Sequence, residues 1–250
     1  MNFDLIIPCY NPPCGWEKRL VLTLQDLTNT YLKVKKDSIH IIIINDGSIK
    51  NFTEKEIRFL ERSDFVIQII QNTLNKGKGF SLREGVNASR SPYCIYTDID
   101  FPFGISVVTT IMTKLRDGAD IVIGSRNKQQ YFQHASFSRK LISASLMCFN
   151  KHLLLLKVED TQAGIKGFNL YGKSIFLKTT INRFLFDLEF ICMASNIHGI
   201  ILETVPVYTV KEHVLSDFGL KTLIQELRNF IIILGKRKAI EYDKKDTVWN

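Results

Sequence analysis

The chain has 250 residues, of which 45% are hydrophobic, and this provides enough apolar material for one large core. Its formal net charge of +8 favours anionic partners, namely nucleic acids, acidic membrane surfaces or phosphorylated small molecules. Because the five cysteines form no C-x-x-C pair and no apolar run reaches about 18 residues, we expect a cytoplasmic protein without disulfide framework, zinc site or membrane span.

Apolar runs alternate with segments of helical spacing along the first half of the chain. The runs are rich in β-branched residues and continuous, which is typical of parallel strands buried on both faces. We predict strands at residues 3–7, 39–44, 66–71, 93–97 and 121–124, and helices at residues 17–29, 53–61, 80–88 and 105–116. This alternation predicts an α/β fold with a doubly wound, mostly parallel sheet.

The rhythm changes in the second half of the chain. Polar residues 125–138 indicate a mobile loop, followed by a long helix at 139–156, a strand near 165–170, a helix near 188–198 and a strand at 200–208. We predict that residues 1–210 form one domain, followed by a C-terminal amphipathic helix and basic tail at 211–250. This tail belongs either to the same domain or to its periphery.

The C-terminal segment carries apolar residues at the spacing of one helix face, followed by a basic cluster. This pattern fits an amphipathic helix on an anionic membrane surface, and it fits a helix packed against the body of the protein equally well. The apolar residues are Leu220, Leu223, Ile224, Leu227, Phe230, Ile231 and Leu234, and the basic cluster is Lys236-Arg237-Lys238.

Two carboxylates follow the predicted fourth strand. On an extended chain, Asp98 and Asp100 would point the same way, at the strand end where open α/β sheets bind ligands. Paired carboxylates suit a Mg²⁺ or Mn²⁺ ion that also holds phosphate oxygens. The alternative is a solvated turn after the strand.

Further polar clusters follow the other predicted strands, at residues 8–11, 45–48 and 75–79. Because the carboxyl ends of parallel strands share one edge, all of these clusters converge on a predicted ligand site.

Single residues of these clusters have predicted roles in this site. Asp46 is placed to accept hydrogen bonds from a nucleobase or ribose, or serves only the turn. The glycines beside Lys78 let the backbone approach a nucleotide, with Lys78 near its phosphates. Arg126 and Arg139 are candidates for pyrophosphate contacts, with a ligand-free surface arginine as the alternative for Arg139.

In this order and spacing, the motifs resemble those of the family 2 glycosyltransferases of GT-A fold, most closely the dolichyl- or polyprenyl-phosphate sugar synthases. The resemblance covers about residues 3–208 and implies a Rossmann-like nucleotide-binding half with an acceptor-side half. The matching residues are Ile7-Pro8-Cys9-Tyr10-Asn11, Asn45-Asp46-Gly47-Ser48, Asn75-Lys76-Gly77-Lys78-Gly79, Thr97-Asp98-Ile99-Asp100, Gly124-Ser125-Arg126 and Asp160-Thr161-Gln162-Ala163-Gly164-Ile165-Lys166.

The resemblance implies inverting transfer of a hexose from a nucleoside-diphosphate sugar to an acceptor, with Mg²⁺ or Mn²⁺ as cofactor. The preferred acceptor is a polyprenyl phosphate at the cytoplasmic face of a membrane. By this resemblance Asp98 and Asp100 hold the metal. The implied donor-binding set is Pro8, Tyr10, Asn11, Asp46, Asn75, Lys78, Gly79, Asp98, Arg126 and Gln162.

Two further carboxylates are implied to be catalytic. Asp160 opens a stretch similar to the family's loop beside the sugar and acceptor, and Asp187 resembles a carboxylate close to the reaction centre. Asp187 is either a general base or the N-cap of the helix that starts near Leu188. Since a phosphate acceptor is already ionised at neutral pH, Asp187 would then only orient it.

Departures and rival functions qualify this resemblance. Around His213 the sequence lacks the Gly and Lys of the family's diphosphate-clamping element, and we expect none of these 250 residues to form the membrane helices of many relatives. The rivals are a glycosyltransferase with a saccharide acceptor, a nucleotidyltransferase and a basic non-catalytic nucleic-acid-binding protein. The last would need basic residues interleaved with surface aromatics, which do not occur outside the tail, so we expect no nucleic-acid partner.

Overall fold

The computed structural model describes residues 1–32, 38–126, 158, 160–209, 220–237 and 242–243. The strands within these ranges are β1 Asn2–Cys9, β2 Ser38–Asp46, β3 Ile67–Asn72, β4 Tyr93–Tyr96, β5 Ile121–Arg126, β6 Lys166–Asn169, β7 Ile197–His198, β8 Leu202–Val207 and β9 Tyr242–Asp243. The helices are α1 Trp16–Leu27, α2 Glu54–Glu61, α3 Lys78–Ala88, α4 Ile105–Arg116, α5 Leu170–Leu177, α6 Phe186–Ser195 and α7 Leu220–Arg237, with a π-helical turn at Thr28–Leu32.

The main sheet has the strand order β3-β2-β1-β4-β6-β5-β8, and only β6 runs antiparallel to its neighbours. The predicted α/β fold with a mostly parallel sheet is therefore confirmed. Strand β1 pairs with β2 on one side and with β4 on the other, so the strand order reverses at β1. Ligands of open α/β sheets bind in the crevice at such a switch point, beyond the carboxyl ends of the strands.

Helices cover both faces of this sheet. Side chains of α1, α2 and α4 pack on one face, and side chains of α3, α5, α6 and α7 pack on the other. The continuous apolar runs follow from this arrangement, because a strand covered on both faces has no solvent side. Ile41, Ile42, Ile43 and Ile44 of β2, for example, are all fully buried.

The sequence pattern did not predict helix α5. Residues 165–170 were predicted as a single strand, but β6 stops at Asn169 and α5 begins at Leu170. The Asn169 side chain accepts hydrogen bonds from the backbone N–H groups of Tyr171 and Gly172, at 2.9 and 3.0 Å, and so caps the helix. An asparagine after an apolar run was the available signal. The predicted helix at 139–156 and the loop at 127–138 lie outside the described residues.

Helix α7 packs against the body of the protein. Phe230 and Ile233 are buried among side chains of the core that includes α6, and the backbone N–H of Leu185 donates to Glu226 Oε2 at 3.2 Å. Ile231 and Ile232 are exposed. The packing alternative for this helix is thus confirmed, while membrane contact and the domain boundary at residue 210 stay predictions. None of the described helices combines the length and the hydropathy that a membrane-spanning segment requires.

Candidate active site

The two metal-site carboxylates lie at the carboxyl end of β4, but on a turn. The strand ends at Tyr96, and the Phe101 N–H donates to the Asp98 carbonyl at 3.0 Å, while Phe101 has a positive φ of 47°. The expectation that Asp98 and Asp100 share one side of an extended chain is therefore wrong, because the chain turns between them. Asp98 is half-buried and Asp100 is exposed, so both remain at the surface of the crevice.

Asp46 holds the glycine-rich loop. It is 3% exposed, and its two carboxylate oxygens accept hydrogen bonds from the backbone N–H groups of Lys76 and Gly77, at 2.8 and 2.9 Å. The adjacent Gly47 has φ 71°, and a Cβ there would lie 2.5 Å from the backbone carbon of Leu74. The loops after β2 and β3 are thereby locked together, and the contact of Asp46 with a base stays a prediction.

We expect Asp46→Ala to raise the apparent dissociation constant of the donor nucleotide much more than it lowers turnover at saturating donor. The substitution removes binding that donor and transition state share equally, and it leaves the N–H groups of Lys76 and Gly77 without their acceptor. Isothermal titration with UDP and GDP measures the effect. Unchanged nucleotide affinity would reduce Asp46 to an anchor of the loop.

The glycine-rich loop also packs closely against the segment before α6. The N–H of Gly79 donates to the carbonyl of Asn182 at 2.8 Å, and that of Phe80 donates to the same oxygen at 3.4 Å. This carbonyl therefore occupies two backbone donors at the start of α3, where the glycines are expected to let the backbone approach a nucleotide. The donor contact predicted for Gly79 stays a prediction, and the Lys78 side chain becomes the main phosphate-binding candidate of the loop.

We expect Gly77→Ala to destabilise the protein clearly more than Gly118→Ala does. Both glycines have positive φ, 103° and 108°, so both substitutions carry the backbone strain of about 1–3 kcal/mol. A Cβ at Gly77 would overlap the Asn182 carbonyl, whereas a Cβ at Gly118 meets nothing within 4 Å. Urea unfolding of both variants gives the comparison, and equal losses would contradict the close packing of the loop.

Lys78, the first residue of α3, forms an ion pair with Asp98 Oδ1. Burial lowers the pKa of this ammonium, but the carboxylates of Asp98, Asp187 and Asp100 outweigh burial, so its pKa lies above the ordinary value. A Cβ at Gly164 would lie 2.5 Å from Asp98 Oδ2 and 3.2 Å from Lys78 Nζ. The glycine at 164 is thus what allows the 160–164 loop to close over this pair.

The residues present fit a divalent metal that is shared with a substrate. Asp98 and Asp100 offer hard oxygen ligands on a surface turn, and in the described part of the chain no group of three or more His, Cys, Asp or Glu side chains could hold a metal. The protein would therefore contribute few ligands. Mg²⁺ is commonly bound in this way, through one or two carboxylates together with waters and substrate phosphates.

Asp187 lies in a buried polar cluster with Lys166 and Tyr96. Its Oδ1 accepts from Lys166 Nζ at 2.6 Å and from the Tyr96 hydroxyl, and Lys166 Nζ also donates to the Ala163 carbonyl at 2.9 Å. Helix α6 begins at Phe186, and no side chain caps it. The N-cap alternative for Asp187 is therefore wrong, because its carboxylate turns toward β4 and β6.

The same cluster shifts the proton affinities of its members. Burial lowers the pKa of Lys166, and the charges of Asp187 and Asp160 offset this only in part. Burial, reinforced by the charges of Asp187 and Asp98, raises the pKa of the Tyr96 hydroxyl well above its ordinary value. Tyr96 is therefore a neutral hydrogen-bond donor to Asp187 at physiological pH.

Asp160 is bound by Arg126. The Arg126 guanidinium donates to both Asp160 oxygens, from Nε at 2.7 Å and from Nη2 at 2.9 Å, and the Arg126 and Gln162 N–H groups add bonds of 2.9 Å each. Burial raises the pKa of Asp160, but these donors outweigh it and hold the pKa below its ordinary value. The structure thus places the predicted catalytic Asp160 and the predicted pyrophosphate ligand Arg126 in one fork-shaped ion pair.

The other predicted donor residues lie at or near the ends of strands. Asn11, with φ 46°, accepts from Ile49 N and Lys50 N through Oδ1 and so joins the loops after β1 and β2. Tyr10 and Asn75 are exposed, and Pro8 and Gln162 are half-buried. Their donor contacts stay predictions. Arg139 and the segment around His213 lie outside the described residues.

Sequence reasoning missed the roles of Lys166, Tyr96 and Glu189. Lys166 is a lysine next to the apolar residues Ile165 and Phe168, which was the available signal, and as the first residue of β6 it is fully buried. Glu189 is 1% exposed and accepts hydrogen bonds from Thr180 N and Ile181 N, each at 2.8 Å. It therefore shapes the segment that meets the glycine-rich loop.

Comparison with known proteins finds relatives that match most of the chain. Residues 4–179 match the family described as Glycosyl transferase family 2. The chain is 28% identical over 215 residues to a dolichyl-phosphate beta-glucosyltransferase of Dictyostelium discoideum, covering 82% of this chain and 66% of that protein. It is 23% identical over 233 residues to a dolichol-phosphate mannosyltransferase of Pyrococcus furiosus, covering 92% and 62%. The chain thus spans less than two thirds of the length of these relatives.

A solved structure shares the fold. The mannosyltransferase PcManGT of Pyrobaculum calidifontis, in complex with GDP-Man and Mn²⁺, superposes with a TM-score of 0.61 at 13% identity, covering 95% of this chain and 64% of that one. At this identity the likeness concerns the fold, which supports the predicted GT-A-type architecture.

Proposed function

Because the chain belongs to glycosyl transferase family 2, we propose that it transfers a hexose from a nucleoside-diphosphate sugar to a polyprenyl phosphate, using a divalent metal. The observation that carries the proposal is the meeting of Asp98, Asp100 and Lys78 beyond the carboxyl ends of the central strands. The names of the two relatives support a lipid-phosphate acceptor. Membership of this family of enzymes argues against the non-catalytic nucleic-acid-binding alternative.

Each group has a stated task in this proposal. Mg²⁺ or Mn²⁺ at Asp98 and Asp100 would stabilise the negative charge that develops on the leaving nucleoside diphosphate. The Lys78 ammonium binds phosphate oxygens of the donor. Asp187, held by Lys166 and Tyr96, orients the acceptor phosphate, which needs no base because it is already ionised.

Transfer assays with a panel of donors test the proposal. UDP-glucose, GDP-mannose and UDP-N-acetylglucosamine are each incubated with dolichyl or undecaprenyl phosphate and Mn²⁺ or Mg²⁺. We expect one donor to yield a sugar-lipid, with inverted anomeric configuration and release of nucleoside diphosphate. Release of sugar 1-phosphate would indicate nucleotidyl transfer, and transfer only to a saccharide would move the rival acceptor class ahead.

We further propose that α7 touches an anionic membrane surface at the cytoplasmic face, next to the lipid acceptor. Ile231 and Ile232 are 62% and 46% exposed, while Phe230 and Ile233 of the same helix are buried in the protein. The sequence places Lys236 and Arg237 at the end of α7. Exposed isoleucines beside basic residues are the composition of an interfacial helix.

We expect the double variant Ile231→Ser/Ile232→Ser to lose most of its co-sedimentation with liposomes that contain anionic lipid. Salt should weaken the binding of the parent protein, since charges are screened over about 8 Å at physiological ionic strength. Leu22→Ser is the matched control, because Leu22 is 60% exposed on α1. Equal binding of the double variant and the parent would leave the isoleucines without a membrane role.

A further inference from the structure

Lys78 occupies space beside Asp98 that a metal ion would have to share. Its ammonium pairs with Asp98 Oδ1, and the Gly164 backbone closes in on Oδ2, where a Cβ would lie 2.5 Å from that oxygen. The charges of Asp187 and Asp100 also hold this ammonium in place. A cation that approaches Asp98 therefore meets a positive charge already bound there.

An incoming anion is a further partner that the Lys78 ammonium can bind. The neighbouring backbone donors Gly79 N and Phe80 N are bonded to the Asn182 carbonyl, so they do not compete with the Lys78 ammonium for phosphate oxygens that arrive at the start of α3. After Asp98, the carboxylate with the largest effect on the Lys78 charge is Asp187, and it is already paired with Lys166. If the ammonium leaves Asp98 while the metal holds Asp98 and Asp100, a donor diphosphate can receive it.

We propose that Lys78 is the resident counter-ion of Asp98 and makes the divalent metal and the nucleoside diphosphate bind cooperatively. This inference rests on the proposed function. The metal alone binds weakly because it must crowd or displace the ammonium, and the diphosphate removes this penalty by pairing with Lys78. By linkage, the metal strengthens diphosphate binding by the same factor.

Measurements of Mn²⁺ binding test this cooperativity without any turnover. Binding is detected as the loss of the electron paramagnetic resonance signal of the free ion. For Lys78→Met we expect Mn²⁺ alone to bind about tenfold more tightly than to wild type, because a like charge a few ångströms away is gone. UDP or GDP should then tighten Mn²⁺ binding less in this variant than in wild type. Lys78→Arg, which keeps the charge, should resemble wild type.

Lys76→Met is the matched control. Lys76 lies in the same loop, but its Nζ sits over the Phe80 ring at 4.3 Å and not on Asp98, so its removal should leave Mn²⁺ affinity unchanged. Circular dichroism checks folding, and Lys78→Gln replaces Lys78→Met if the latter misfolds.

The outcomes separate the inference from the proposed function. If Asp100→Asn abolishes Mn²⁺ binding but Lys78→Met does not tighten it, the metal site stands and the cooperative role of Lys78 is overturned. If neither Lys78→Met alone nor wild type with UDP or GDP binds Mn²⁺, the metal site and the role of Lys78 both fall. If Lys76→Met tightens Mn²⁺ binding as much as Lys78→Met does, the change in affinity follows from the overall charge of the loop, and the inference is also overturned.

Discussion

Asp100→Asn is expected to lower sugar transfer at least about 10²-fold, because it removes a charged oxygen ligand from the proposed metal site. Its free energy of unfolding should change by no more than about 0.5 kcal/mol, since Asp100 is exposed on a surface turn. Initial rates at saturating donor and Mn²⁺, together with urea unfolding, measure the two effects separately.

Asp64→Asn is the matched control for this substitution. Asp64 is also exposed, but it precedes β3 and so lies at the amino ends of the strands, away from the crevice. It should retain full activity. Full activity of Asp100→Asn would remove the metal assignment, whereas loss of activity in both variants would point to a general charge effect.

Lys166→Met should be the most destabilising of the substitutions considered, at about 3–5 kcal/mol, because it leaves the Asp187 carboxylate buried without its cation. Lys166 is fully buried, Asp187 is 4% exposed, and their charged atoms are 2.6 Å apart. Adding Asp187→Asn should restore much of the loss, since no uncompensated charge then remains. Urea unfolding of both single variants and the double variant gives the coupling between the two residues.

An exposed lysine pair provides the comparison. Lys114 pairs with Glu203, and both side chains are more than a third exposed, so Lys114→Met should cost only about 0–1 kcal/mol. A similar small loss for Lys166→Met would mean that the Asp187 carboxylate is protonated or reached by water when Lys166 is absent. The buried pair would then contribute little to stability.

Local patterns were sufficient for the parallel half of the fold. Residues 41–44 are four consecutive isoleucines, which fit only a strand covered on both faces, and helix α4 was predicted at its observed bounds, Ile105–Arg116. The turn after β4 was harder to predict. The pattern Asp-Ile-Asp-Phe-Pro fits both a strand end and a turn, and only the hydrogen bond from Phe101 N to the Asp98 carbonyl decides between them.

The candidate site also has a part that could be predicted from the sequence and a part that could not. The sequence placed Asp98, Asp46 and Lys78 at the carboxyl edge, because each follows a recognisable strand. It did not reveal that Arg126 would bind Asp160, or that Asp46 would bind the loop of Lys78. These contacts join segments 34 and 30 residues apart, and residue spacing carries no information about which polar groups pair across such distances.

The order of residue types was enough to predict the α/β class, the shared edge of the parallel strands and the motifs of the family, because these depend on local hydrophobic period and on turn residues. The buried centre, in contrast, depends on contacts between distant parts of the chain. Strand β6 inserts antiparallel beside β4 in a register that sets Lys166 opposite Tyr96, and α6 then brings Asp187 to both. Tyr96 and Asp187 are 91 residues apart, so their contact depends on how the sheet closes and packs, and a buried charge must find its partner there because no water can replace it.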